Sequence, residues 1–299
     1  MNLEQELGPK LKYGVKKNEP MARHTSWLVG GPADYFLCPA NLTELLEIVR
    51  YSYRYQLPLY ILGNGTNLLV LDGGIRGLVV NIGASFSAVD FANSRLTAGS
   101  GASMAYLAKS AAEAGLSGFE FAIGIPGTLG GALIMNAGAF GGYVGNRVRS
   151  VKLVDFHGRL VTVQQEELSF GYRTSNLAGK GIIVEADLEL EKGDPVQVNE
   201  KMERFSADRR RRHPKLPSAG SVFRNFSDQP AGLIIEKAGA KGLRIGGAEI
   251  SEEHANFIVN TGDATAADIL HLIKTVRQMV KDIYGLELQP EVRIIGEER

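Results

Sequence analysis

The chain has 299 residues, 44% apolar and 22% charged, with 33 lysines and arginines against 33 aspartates and glutamates. That length holds two domains with cores of their own, and a net charge of zero argues against nucleic-acid binding as the main role. A single cysteine, Cys38, excludes an internal disulfide and any cysteine-rich metal site. The opening MNLEQELGPKLKYG lacks the apolar run of a signal peptide. The longest charge-free stretch, Phe121 to Asn146, is long enough to span a bilayer. Its eight glycines, Pro126 and Asn136 make it a poor transmembrane helix. A soluble cytoplasmic protein is expected.

Residues 1–22 read as a weakly structured or short helical lead-in. Asn41 to Gln56 reads as a helix, capped by Asn41 with Glu44 three residues on, and Leu42, Leu45, Leu46 and Val49 form one face. Pro58 stops it, and Leu59–Leu62 and Leu68–Leu71 read as strands flanking a glycine loop. After the turn Asp72-Gly73-Gly74 comes a strand at Leu78–Ile82. A second unit begins with a strand at Arg95–Gly99 and a helix at Ala102–Ala114 closed by Gly115. Val148–Phe156 and Arg159–Val163 form a hairpin about His157-Gly158, and Ile182–Leu190 is a further strand. Glu191 to Pro195 is the best linker. Beyond it lie a helix near Val196–Arg211, a strand-like Ser221–Phe226, and a helix at Ala231–Ala238. Strands at Leu243–Ile250 and Phe257–Asn260 follow. Thr265–Tyr284 is an amphipathic helix with Ile269, Ile273, Val276, Val280 and Ile283 on one face. Leu286–Ile295 reads as a last strand.

Two glycine-rich segments carry the strongest signal. Gly63-Asn64-Gly65-Thr66-Asn67 follows an apolar strand, and Gly124 to Gly142 opens a short helix. Glycine lets backbone approach a pyrophosphate, and free N–H groups at a helix start or nest offer an anion site. Neither segment fits the Rossmann pattern, and none ends in Gly-Lys-Ser/Thr. A different dinucleotide-binding architecture is implied. The five histidines show no metal-ligand spacing, so no metal site is expected.

Six blocks occur in order: GNGTNLLV, GIPGTLGGALIMNAGA, FGYRTSN, PSAGSVFRN, HANFIVN and QPEVRIIG. In this order they resemble the UDP-N-acetylenolpyruvoylglucosamine reductases, FAD flavoproteins of bacterial peptidoglycan precursor synthesis. The resemblance runs nearly end to end. It implies an α+β chain: a two-subdomain FAD-binding fold of the vanillyl-alcohol-oxidase type, then an α/β substrate-binding domain. The expected boundaries are 1–193, with subdomains at about 20–85 and 86–193, and 194–299, with the last strand packing back on the FAD domain. Arg173 and Ser221 lie 48 positions apart, too close for the tyrosine-bearing insert of the family's longer class.

The implied reaction reduces an enolpyruvyl ether to a lactyl ether. A hydride from NADPH travels by way of non-covalent FAD to the terminal vinyl carbon, and a proton is delivered to the neighbouring C2. Arg173, in the tyrosine-arginine block, is implied as the group that holds the developing enolate, since a guanidinium offers a carboxylate a bidentate fork. Ser221 is implied as the proton donor, with Lys215 or Arg212 as the cation that steadies its alkoxide. Glu291 helps only when protonated, which calls for burial or a like charge nearby. The expected FAD contacts are Gly63, Asn64, Gly65, Thr66, Asn67, Gly124, Ile125, Gly127, Thr128, Gly131 and Asn136. Thr66 stands where the family usually has serine, and either hydroxyl can bond a phosphate. Lys215, Asn225 and Arg212 are expected at the UDP-sugar. Phe226 stands where proline is usual. The basic run Arg209–Arg212 reads as a solvated helix end, placed to attract a diphosphate. A monomer without nucleic-acid or membrane partners is expected.

Two other readings remain open at this point. One is an oxidase of the same superfamily, against which the absence of histidine and cysteine from both flavin loops counts. The other is a non-catalytic UDP-sugar or flavin-binding protein, against which Arg173, Ser221 and Glu291 count.

Overall fold

Alternating apolar residues in Val148–Val154 and Ile182–Glu189 build the centre of the largest sheet. The computed structural model, which describes residues 3–298, orders this sheet as Leu160–Gln164, Val148–Val154, Ile182–Glu189, Arg95–Gly99 and Val89–Ala92. Every neighbouring pair is antiparallel. The hairpin about His157-Gly158 forms as expected: Val154 faces Leu160, and Asp155 accepts from the backbone N–H groups of His157 and Arg159.

The chain divides into two units. Unit one takes in residues up to Lys16, Tyr35–Asn64 and Gly77–Arg209; unit two takes in Lys17–Asp34, Gly65–Arg76 and the chain from Arg210 onward. The division at 209/210 lies beyond the boundary expected at 193/194, and two early segments join the C-terminal part. The expected linker is tied down: Glu191–Lys192 pairs with Leu116–Ser117, and Gly193 N–H donates to Gly115 O. Val15–Pro20, Pro32–Leu37, Ile75–Asn81 and Leu59–Leu62 lie side by side in that order, the last two in parallel.

Unit one has two apolar clusters. In one, Leu3 and Leu7 of the α1 region (α1, Leu3–Glu6) meet Leu45, Ile48 and Val49 of α2 (Leu42–Tyr55) and Leu78, Val80 and Val184 of strands. Asn41 caps α2, accepting from Glu44 N–H at 3.0 Å, while Glu44 accepts from Ala40 N–H at 2.9 Å. In the other, α3 (Met104–Glu113) and α4 (Leu129–Met135) set Leu107, Ala108, Leu129 and Leu133 against Leu96, Ala98, Val151 and Ala186. α5 (Pro195–Arg212) adds Val198 and Met202. Each leucine or isoleucine so buried contributes about 2 kcal/mol of hydrophobic stabilisation.

Unit two is built around α7 (Ala266–Tyr284), which packs with α6 (Ala231–Lys237) and the antiparallel strands Arg244–Ile245, Ala248–Ile250 and Ile258–Asn260. Thr265 and Asp268 form a capping box, and Asp72 accepts from Ala266 N–H and Ala267 N–H at 3.0 and 2.9 Å. Trp27 is fully buried and donates its indole N–H to Ile258 O at 2.7 Å; Asn260 Nδ2 donates back to Trp27 O at 2.9 Å.

Several expectations are corrected. Val15–Pro20 and Pro32–Leu37 are strands where none was expected; the first is almost wholly exposed and carries no alternation. Ser221–Phe226 is an irregular segment with one bridge, Phe223 to Pro290. Leu243–Ile250 is broken by a turn at Gly246-Gly247. Of Leu286–Ile295 only Arg293–Ile295 is a strand, and it pairs in parallel with Leu68–Val70. Leu272, not the 55% exposed Ile283, completes the buried face of α7.

Candidate functional site

Inside unit one, Gly63 of the first glycine segment meets Thr128 of the second. A Cβ on Gly63 would stand 2.5 Å from Thr128 Oγ1, so the loop fits against Thr128 only without a side chain. Asn81 Nδ2 donates to Gly63 O at 2.9 Å. Thr128 caps α4 and accepts from Gly131 N–H at 3.5 Å, while Gly130 N–H donates to Ser100 O at 2.8 Å. Ser100 Oγ is buried and has no hydrogen-bond partner. Such an orphaned donor calls for an acceptor from outside the chain. Asn64 and Gly131 are exposed, and Gly124, Ile125 and Gly127 are half-buried.

Arg173 occupies the second position of a two-residue hairpin between Phe170–Gly171 and Thr174–Ser175. Its φ is +55°, a left-handed conformation that costs a non-glycine residue about 1 kcal/mol or more. Two bonds from the end of α4 hold the hairpin there. Asn136 Nδ2 donates to Gly171 O at 2.9 Å, and Ser175 Oγ donates to Ile134 O at 3.1 Å. Asn136 Oδ1 also accepts from Gly145 N–H at 3.0 Å. Asn136, an expected FAD contact, thus ties the Arg173 hairpin through Nδ2 and the Gly145 backbone through Oδ1. The guanidinium lies 5.2 Å from the Tyr172 ring and within 3.5 Å of Gly138 O.

In unit two, Glu291 N–H donates to Val222 O at 2.7 Å, setting Ser221 and Glu291 on adjoining segments. Asn256, 2% exposed, clamps the Ser221 segment from the other side. Its backbone O accepts from Val222 N–H, and its side chain accepts from Phe223 N–H at 2.9 Å and donates to Phe223 O at 2.8 Å. Asn67 joins the same group, donating Nδ2 to Glu291 O at 3.2 Å. Gly65 has φ +61°, and a Cβ there would stand 2.0 Å from His24 O, so no other residue fits. Thr66 is half-buried. Lys215 and Arg212 are exposed, and Asn225 Oδ1 caps α6 by accepting from Ala231 N–H at 3.0 Å.

Sequence reasoning missed Asn256 and Glu120. Asn256 lies in the HANFIVN block. Glu120, 6% exposed, accepts from Ser117 Oγ at 2.7 Å and Gly118 N–H at 2.9 Å and opens the turn Glu120–Gly124 into the glycine segment. Burial pushes its pKa up, but these hydrogen bonds and Lys201 outweigh that and leave it below the ordinary carboxylate value. A depressed folded value means the stabilisation is complete above the unfolded value and is lost as pH falls through the folded one. Glu120→Gln is expected to lower stability by about 1–3 kcal/mol at neutral pH and to blunt the further loss in acid. Denaturant unfolding from neutral pH down to about pH 3 reads both effects. Parallel wild-type and variant curves throughout would remove Glu120 from this role.

Residues 33–164 match a FAD binding domain family, and residues 212–295 match the family described as UDP-N-acetylenolpyruvoylglucosamine reductase, C-terminal domain. The chain is 49% identical to the UDP-N-acetylenolpyruvoylglucosamine reductase of Heliobacterium modesticaldum, over 94% of this chain and 90% of that protein. It is 45% identical to the reductase of Moorella thermoacetica, over 99% and 98%. The crystal structure of the Thermus caldophilus reductase superposes with a TM-score of 0.81 at 36% identity, covering 92% of this chain and 97% of that one. Unit one fits FAD: it offers the orphaned Ser100 hydroxyl beside glycine loops that a Cβ at Gly63 would close. Among the described residues, no helix is long and apolar enough to cross a membrane, and no cluster of His, Cys, Asp and Glu could hold a metal. By sequence over nearly its whole length, and by fold, the chain belongs to the UDP-N-acetylenolpyruvoylglucosamine reductase family.

Proposed function

We propose that the chain reduces the enolpyruvyl ether of UDP-N-acetylglucosamine to UDP-N-acetylmuramate, with NADPH as hydride donor, in peptidoglycan precursor synthesis. The observation that carries this reading is the Glu291 to Val222 backbone bond, which sets a hydroxyl and a carboxyl residue on adjoining segments. FAD, bound without a covalent link, supplies the hydride-carrying chemistry between NADPH and the vinyl group. Residues 1–193 are the flavin-binding part, and residues 194–299 take the UDP-sugar. Gly63, Asn64, Gly65, Thr66, Asn67, Gly124, Ile125, Gly127, Thr128, Gly131 and Asn136 are the cofactor-binding residues.

The roles of the chain's own groups follow from where charge develops. Hydride addition at the terminal carbon leaves negative charge at C2 and in the carboxyl oxygens. Arg173 meets that charge with a two-donor fork. Ser221 Oγ delivers the proton to C2, and Lys215 or Arg212 stabilises the alkoxide left behind. Glu291, protonated, donates a hydrogen bond to the same carboxyl group. Asn225 and the basic side chains orient the diphosphate. The protein works as a cytoplasmic monomer without nucleic-acid or membrane partners.

Anaerobic NADPH oxidation by the purified yellow protein tests the reading. Many turnovers are expected only when UDP-N-acetylglucosamine enolpyruvate is present. A single flavin reduction that stalls with and without the sugar nucleotide, then turns over when air enters, makes the protein an oxidase and overturns the assignment.

A further inference from the structure

Two turns with left-handed, non-glycine residues meet in unit one. One is the Arg173 hairpin described above. In the other, Gly138–Ala139 pairs with Gly142–Tyr143 around a two-residue turn, in which Phe140 has φ +51° and Gly141 φ +83°. Positive φ at both positions is the type I′ pattern, which favours Asn-Gly. A bulky residue at the first position is an outlier, and the turn itself does not call for it. Its ring accounts for it. The exposed Phe140 lies flat on Phe205 of α5, with centroids 4.2 Å apart and planes 3° from parallel. Phe205 stands about one turn beyond Met202, which is buried in the core of unit one. The stack therefore moors the tip of the turn to a helix that the core holds.

The base of this turn is tied to the hairpin that carries Arg173. Arg173 Nη1 donates to Gly138 O at 3.5 Å. Asn136 links Gly171 O to Gly145 N–H, and a Cβ on Gly145 would stand 2.5 Å from Phe170 Cγ. A Cβ on Gly142 would collide with the Phe121 ring, and one on Gly138 with the Tyr143 ring. Backbone packed this closely passes a shift on rather than absorbing it. The tip lies beyond these contacts, and there the Phe205 ring supports it. Gly138 O receives one nitrogen of the guanidinium, so where the fork lies depends on how firmly the tip is held.

We propose that Phe205 is a positioning residue for Arg173: by stacking on Phe140 it fixes the carbonyl of Gly138 against which the guanidinium is set. The inference rests on the functional reading above, in which Arg173 meets the charge that develops on the substrate carboxyl group. Flavin reduction by NADPH creates no such charge and does not use the fork; reoxidation by the enolpyruvyl substrate does. A displacement of about 1 Å at a group of this kind costs up to about a hundredfold in rate, and a loosened tip about tenfold.

The test measures the two half-reactions separately, by stopped-flow flavin absorbance of the full-length holoprotein. Phe205→Leu keeps an apolar side chain and removes the flat ring, whereas Phe205→Tyr keeps the ring. Phe140→Asn suits the turn and removes the partner ring. Phe205→Leu and Phe140→Asn are each expected to slow reoxidation by about tenfold, with flavin reduction within about twofold of wild type. Phe205→Tyr is expected to restore reoxidation to within about twofold, and the double variant Phe205→Leu/Phe140→Asn to fall no further than either single one. Equal slowing of both half-reactions, reoxidation at the wild-type rate, or additive losses in the double variant overturns the proposal. If Phe205→Leu does not fold, Phe205→Met replaces it under the same criteria. Arg173→Lys is measured alongside. Unchanged reoxidation there defeats the functional reading of Arg173; slowed reoxidation there with none in Phe205→Leu defeats the positioning role alone.

Discussion

Ser221→Ala is expected to leave flavin reduction by NADPH near the wild-type rate and to slow reoxidation by the enolpyruvyl substrate by about a thousandfold. The split arises because only the second half-reaction needs a proton at C2. Removing the hydroxyl removes the donor and leaves hydride delivery chemically reversible and unproductive. The backbone will keep its place: Val222 and Phe223 are held by Asn256 and by Glu291 through main-chain bonds that do not involve the serine hydroxyl. Stopped-flow absorbance of the flavin, monitored in each half-reaction separately, measures the effect. Fast reoxidation by the substrate in the variant would remove Ser221 from the proton-donor role and leave water or another side chain to fill it.

Arg173→Lys is expected to lower turnover by about a hundredfold to a thousandfold, although the charge is kept. A lysine ammonium is a point charge and cannot reproduce the fork that spans two carboxyl oxygens. The hairpin adds a second reason. Arg173 is held at φ +55° by the bonds from Asn136 and Ser175, so the geometry is set before substrate arrives. A shorter reach to the same charge from that fixed backbone cannot be corrected by a small shift of the chain. Steady-state kinetics with saturating enolpyruvyl substrate read the loss in kcat. Turnover within a few-fold of wild type would show that charge alone suffices and that the fork is dispensable.

Much of the architecture could be read in advance where the signal is local. α2 and α7 announce themselves through caps and a 3.6-residue apolar period, and both form within a residue or so of expectation. The 157–158 hairpin carries its own turn chemistry. What could not be read depends on distant partners. Val15–Pro20 has exposed lysines and no alternation because its neighbours supply the pattern. The apolar run Leu286–Ile295 looks like one strand, yet only its last three residues find a ladder. The candidate site divides the same way. Arg173, Ser221 and Glu291 were named from ordered blocks, since as isolated residue types each reads as an ordinary surface group. The residues that hold them, Asn256 and the α4 end, are visible only once segments far apart in sequence meet.

The joining of Trp27 to Ile258, 231 positions away, bears on how the protein is made. Unit two is sewn from the beginning, an early loop and the end of the chain. A ribosome working from the N-terminus therefore releases Trp27, Val29, Leu69 and Leu71 long before the residues that bury them exist. Those side chains must wait, exposed, until the helix capped by Asp72 has emerged. The last part to be synthesised closes the first part to appear, so an unfinished chain carries sticky apolar surface that a finished one hides.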